Sequence, residues 1–162
     1  MHIVFITLFP AQMEAMATRS IFGRAVESGQ IKLTFKDLRD YCESPKERVD
    51  DKPFGGTQGM LLRCEVIERA ILSVDQYDKY RILYTCPKGK ILSQEVASSL
   101  SQETGLIILS GYYEGIDERL FSLFEIERVS MGDVVVSSGD VPALAIAEAT
   151  MRLLPGVVGN NE

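Results

Sequence analysis

The chain has 162 residues, with 17 Lys and Arg against 23 Asp and Glu, a formal charge of −6. That length suits a single domain able to bury a core without metal or disulfide staples, and 46% hydrophobic with 25% charged residues excludes a disordered or collagen-like chain. The acidic balance argues against a polyanion-binding surface spread over the whole molecule and leaves room for a local basic site. Cys42, Cys64 and Cys86 form no C-x-x-C pair, a pattern of free thiols in a reducing compartment. His2 is the lone histidine, so neither a His-based triad nor a His-rich metal site is expected, and no metal is assigned. No apolar run approaches the ~20 residues of a membrane span. The first nine residues superficially resemble a signal-peptide core, but no Lys or Arg precedes them and Pro10 opens a helix, so the expectation is cytoplasmic.

In chain order, apolar runs alternate with helical patterns, the mark of an α/β domain with a mainly parallel sheet flanked by helices. Residues 3–9, β-branched and aromatic, read as a buried strand. Residues 11–28 read as one or two helices, with Ser20 as a candidate cap and Gly29 as a stop. Ile31, Leu33 and Phe35 alternate with polar residues in a half-buried strand. Residues 38–60 are polar and Gly-rich without a clear period, and so long a stretch in a compact domain is usually functional or mobile. Val66, Ile67, Ala70, Ile71 and Val74 then recur at helical spacing. Residues 81–85 form a strand, Ser93 caps a helix, and residues 106–109 form a fully apolar strand. Asp117 caps a further helix, and strands are expected over 126–129 and 134–137. Asp140 caps the last helix, with Pro142 tolerated in its first turn. Leu144, Ala147, Met151 and Leu154 share one face of it. No repeat or linker divides the chain, so one domain is expected.

In open α/β sheets, ligands bind beyond the carboxyl ends of the strands. Three strand ends carry glycine-bearing turns: Cys86-Pro87-Lys88-Gly89, Ser110-Gly111 through Gly115, and Ser137-Ser138-Gly139. Either they are ordinary turns, or they converge into a pocket walled by backbone, the glycines letting a ligand approach closely. None is a G-x-G-x-x-G or a P-loop, so a dinucleotide site is unsupported. The segment from Lys52 to Met60 reads as a substrate-contacting loop or as a solvated linker. Glu114, beside Tyr112 and Tyr113, is either a base or hydrogen-bond acceptor, or simply solvated. Arg152 either complements the last helix's dipole or stabilises negative charge on a substrate. No basic partner is evident to activate Cys86 as a nucleophile.

Several blocks are more specific. Val49-Asp50-Asp51-Lys52-Pro53-Phe54-Gly55-Gly56 precedes the run Tyr113-Glu114-Gly115-Ile116-Asp117-Glu118-Arg119. Gly132-Asp133, Ser137-Ser138-Gly139-Asp140-Val141-Pro142-Ala143 and Pro155-Gly156-Val157-Val158-Gly159 follow in that order. With Leu8-Phe9-Pro10, Gly23-Arg24-Ala25 and Leu38-Arg39-Asp40-Tyr41, they make the chain resemble the bacterial tRNA (guanine-N1)-methyltransferase family of the SPOUT class over nearly its whole length. The departures are Thr57-Gln58 in the glycine run, Ser138 for a common glycine, Asp140 for a common Glu, Lys46 near a common His and Tyr112 for a common basic residue.

The resemblance implies a C-terminal trefoil knot that binds S-adenosylmethionine, methylation of N1 of the guanine 3′ to the tRNA anticodon (position 37), and a homodimer with each active site shared between subunits. Cofactor contacts carried over are Tyr84, Thr85, Cys86, Pro87 and Gly89, then Gly111, Tyr113 and Glu114. Met131, Gly132, Asp133, Val134, Val135 and Val136 follow, then Ser138, Gly139 and Pro142. Arg152 and Glu114 carry over as catalytic, Arg152 acting on the guanine. Arg24, Asp50, Gly55, Gly56 and Gly59 match tRNA-contacting segments. The family's general-base Asp and its C-terminal helical tRNA-binding domain have no match within residues 1–162, so the expectation is a cofactor-binding domain that turns over poorly. The alternatives are a non-catalytic cofactor- or RNA-binding module and an unrelated α/β nucleotide-binding protein.

Overall fold

A computed structural model describes residues 1–53, 55 and 58–158. Five strands, β1 (His2–Thr7), β2 (Lys32–Asp37), β5 (Arg81–Ile91), β6 (Gly105–Ser110) and β7 (Ile126–Ser130), form a sheet in the order β2-β1-β6-β5-β7. Every pair in it is parallel. A separate two-residue ladder joins β3 (Asp50–Asp51) and β4 (Leu61–Leu62) antiparallel.

The apolar runs of β1 and β6 are explained by burial on both faces, as parallel sheets require. Every residue of β6 is buried. Ile3, Phe5, Leu106 and Ile108 face one core, which α1 (Pro10–Ala17), α2 (Ser20–Glu27), α4 (Gln94–Leu100) and α6 (Asp140–Met151) cover. Val4, Ile6, Ile107 and Leu109 face the other, under α3 (Cys64–Leu72) and the short α5 (Leu120–Leu123). The result is three layers with the sheet in the middle.

Local signals explain some helix ends. Pro10 opens α1 at a position whose amide needs no partner. The Ser93 hydroxyl accepts the Val96 amide at the start of α4. Gly29 follows α2 at φ +73°, the left-handed conformation that suits glycine after a helix. Other expected caps differ. Ser20 is the first helical residue of α2, with Arg19 at the N-cap. Asp117 accepts the Arg119 amide at 3.0 Å and stands two residues ahead of α5's N-cap, which is Arg119 itself. Asp140 lies inside α6, and its Oδ1 accepts from the Thr7 hydroxyl at 2.7 Å instead of capping the helix.

Two segments depart from their expected outlines. Residues 134–137 form no strand; their valines are exposed, Val135 at 81%. β5, expected to end at Thr85, runs on to Ile91 after an excursion. Thr85 and Lys90 both pair with Val129, so Cys86–Gly89 bulges out of the ladder. A Cβ on Gly89 would collide with the backbone of Arg128 and Val129, so the bulge needs glycine where it closes.

Candidate functional site

The register aligns Thr85 with Ser110 and with Val129, so the carboxyl ends of β5, β6 and β7 lie side by side. Beyond them is a cavity of about 550 Å³. It is walled by the β5 excursion, the loop after β6, the end of β7, the stretch before α6, and Pro142 in α6's first turn. Of the two readings left open for the three glycine-bearing turns, convergence is what the structure has: Cys86, Gly111 and Gly139 all line this one space, as does Met131.

The glycines serve a different end from the one expected. A Cβ on Gly139 would overlap Thr85 Oγ1 and the Gly111 nitrogen, and one on Gly111 would stand 2.6 Å from the Thr85 carbonyl oxygen. They let the loops approach one another, which in turn shapes the wall that faces a ligand. The Gly139 amide donates to the Gly111 carbonyl at 2.6 Å.

Of the cofactor contacts expected from the resemblance, Tyr84 through Pro87, Gly111, Tyr113 and Glu114 line the cavity. So do Met131, Val134 through Val136, Ser138, Gly139 and Pro142. Gly89 lies outside it, packed on β7, and Gly132 and Asp133 also lie outside. Burial, above all, pushes the Tyr84 phenol up to about 12, so it stays a neutral hydrogen-bonding wall. Sequence reasoning missed Arg128 and Glu118. The Arg128 guanidinium stacks 3.7 Å from the Phe121 ring centre and donates to Glu118 at 2.6 Å on the cavity wall. The one available signal was a charged residue at the inward-facing spacing from Ile126.

The segment before β4 is stitched to the cavity. The Glu114 amide donates to the Met60 carbonyl at 3.0 Å, and Leu62 pairs with the stretch from Gly115 to Asp117. Buried Asp50 accepts from Arg48 at 3.0 Å. It also lies beside Tyr113, whose phenol is held above its usual range first by burial and then by that carboxylate. Gly59 stands against Glu114. Gly55 has open space around its Cα, and Gly56 lies outside the described residues. Arg24 is exposed on α2, away from the cavity lining.

Arg152 does not join Glu114. It is the exposed C-cap of α6, while Pro142 at the other end meets the cavity. Ten residues of helix separate the two by roughly 15 Å. Among the described residues, no three His, Cys, Asp or Glu side chains converge to hold a metal ion, and no helix is long and apolar enough to cross a membrane.

A cavity of this size with valine, proline and tyrosine walls suits an aromatic base, and backbone groups at its rim suit a ribose. The sequence model of the tRNA (Guanine-1)-methyltransferase TrmD family matches residues 1–162. A tRNA (guanine-N(1)-)-methyltransferase of Staphylococcus epidermidis is 38% identical over 160 residues, covering 99% of this chain and 65% of that protein. One from Staphylococcus haemolyticus is 37% identical over 162 residues, covering 100% of this chain and 66% of that protein. The crystal structure of a tRNA (m1G37) methyltransferase from Aquifex aeolicus matches with a TM-score of 0.89 at 35% identity, over 99% of this chain and 72% of that one. The chain thus spans just under two thirds of the length of the curated relatives.

Proposed function

The chain belongs to the tRNA (Guanine-1)-methyltransferase family, and from that premise we propose that it takes part in methyl transfer from S-adenosylmethionine to N1 of guanine 37 in tRNA. The observation that carries the reading is the cavity at the carboxyl ends of β5, β6 and β7, where Gly111, Met131, Gly139 and Glu114 meet. The 162 residues act as the cofactor-binding domain.

S-adenosylmethionine, when bound, supplies an electrophilic methyl group on a sulfonium. The residues of this chain align, neutralise and exclude water. Tyr84, Pro87, Val134 through Val136 and Pro142 line the cavity and would hold the cofactor's adenosine portion. Holding donor and acceptor in line is the main contribution, since the methyl group needs no further activation. N1 of guanine gains the methyl group and loses its proton, which a carboxylate takes. Of the two carboxylates on the cavity wall, Glu118 is held by Arg128, and Glu114 serves as acceptor for the guanine or its proton. Arg152 stabilises the charge that grows on the guanine oxygen.

Arg152 reaches a cavity only if that cavity belongs to a second copy, because its own lies at the far end of α6. The separation favours a homodimer whose active sites are shared between subunits. A trefoil knot of the SPOUT class is favoured by the path of the chain. The 131–139 segment leaves edge strand β7, crosses the ends of β5 and β6 and delivers α6 against β6 and β1. Gly55 and Gly59, in the segment that follows Asp50, and Arg24, exposed on α2, would contact tRNA, as the family match suggests, and a tRNA substrate implies a cytoplasmic location.

Calorimetric titration with S-adenosylhomocysteine, beside methylation of unmodified tRNA carrying G37 or A37, tests the reading. Binding of S-adenosylhomocysteine and methylation of the G37 form alone are expected. Tight ATP or NAD binding with no S-adenosylhomocysteine binding would overturn it in favour of another α/β nucleotide-binding protein.

A further inference from the structure

The cavity is assembled from three stretches far apart in sequence, and one buried hydroxyl touches all three. Thr85, 3% exposed, ends the part of β5 that precedes the bulge. Its Oγ1 accepts the Gly111 amide at 3.1 Å and lies 3.2 Å from the carbonyl oxygens of both Leu109 and Gly139. A threonine hydroxyl has one proton, so the two carbonyls share it. The hydroxyl is therefore spent inside the protein and is not offered to a ligand.

We infer that Thr85 is a positioning residue whose hydroxyl clasps the ends of β5 and β6 to the turn into α6, preforming the cavity before a ligand arrives. The inference rests on reading that cavity as the S-adenosylmethionine site. Deleting the hydroxyl leaves the Gly111 amide without its partner in a buried place and frees Gly139 from one of its two ties to the sheet. The loops must then be ordered at the moment of binding, and the loss appears in affinity. Thr150 is the natural comparison. It is equally buried, but its hydroxyl bonds the Ile146 carbonyl at 2.8 Å within α6 and touches no cavity loop.

The test compares Thr85→Val, Thr85→Ser and Thr150→Val by calorimetric titration with S-adenosylhomocysteine, and follows amide hydrogen exchange in the ligand-free wild-type chain. Thr85→Val is expected to bind about tenfold more weakly, with Thr85→Ser and Thr150→Val within about twofold of wild type. The Gly111 and Gly139 amides are expected to be protected without ligand. Wild-type affinity in Thr85→Val, or free exchange of both amides in the wild-type chain, would overturn the clasp. The exchange measurement decides the matter even if Thr85→Val does not fold. A wild-type chain that binds no S-adenosylhomocysteine would refute the reading of the cavity, while the exchange result still judges the clasp.

Discussion

The side chain of Glu114 fills the space in which a side chain on Gly59 would have to stand. Gly59 is also at φ +104°, where an L residue is strained whatever the room. The polar segment before β4 therefore packs directly on Glu114, one of the two carboxylates on the cavity wall. Gly59→Ala should push Glu114 aside, lowering methyl transfer by about tenfold or more while S-adenosylhomocysteine affinity changes by less than about threefold. Glu114→Gln should lower turnover by about a hundredfold. Steady-state methylation beside calorimetry checks both. Wild-type turnover in Gly59→Ala would show that the contact is idle.

The distance along α6 between Pro142 and Arg152 makes a second prediction. If Arg152 serves the partner's cavity, Arg152→Ala and Glu114→Gln are each nearly inactive, yet a mixture of the two regains activity. In a mixed dimer one site keeps both groups and the other loses both. Random exchange should then restore about a quarter of wild-type turnover. Mixing the purified variants after brief unfolding, and assaying tRNA methylation, tests it. A mixture as inactive as its parts would put both groups in one chain's site.

The central strands were legible because burial on both faces leaves a continuous apolar run, as in β1 and β6, that a parallel sheet demands. The cavity was legible for a related reason: glycine-bearing turns at strand ends mark where loops must crowd. The glycines' partners were not, because nothing local to Gly139 says that Thr85 and Gly111 will lie against it. Val134–Val136 has a strand's composition, yet β-propensity reports a half-buried pleated surface, and these valines lie exposed along the rim of the cavity, where no strand among the described residues pairs with them. The length of β5 was hidden by Pro87 and Gly89, which read as the end of a strand while only interrupting it. Asp140 has a cap's residue type but stands one position past the N-cap, Gly139, and the Thr7 hydroxyl claims its carboxylate from 133 residues away.

Gly89 closes the β5 bulge directly on Val129, so it carries a stability prediction. Gly89→Ala forces a methyl group into backbone that cannot step aside, since β7 is paired there with β5. The cost should be about 2 kcal/mol, lowering the melting temperature by about 5 °C in a chain of this size. Cys86 and Pro87 ride on the same bulge, so S-adenosylhomocysteine affinity should fall as well. Differential scanning calorimetry with and without the ligand measures the two effects. An unchanged melting temperature would mean the bulge can lift off β7 freely.

The single histidine supplies a pH prediction with a definite sign. His2 Nδ1 and Nε2 each lie 2.8 Å from a hydroxyl, those of Tyr80 and Thr34. Burial first, then the charges of Lys32, the N-terminal amine and Lys36, hold its pKa below the ordinary 6.5. Both hydroxyls can turn to accept as well as donate, so the bonds survive protonation and the cost comes from burying a charge among cations. A histidine with a lowered folded pKa is protonated first in the unfolded chain. Stability should therefore fall as pH drops through 6.5 and level off below the folded pKa. His2→Gln should flatten that part of the profile. Because the imidazole is alone, its ring-proton NMR resonances can be assigned and titrated without overlap from another histidine, and a midpoint at 6.5 would abolish the predicted slope while one above it would reverse it.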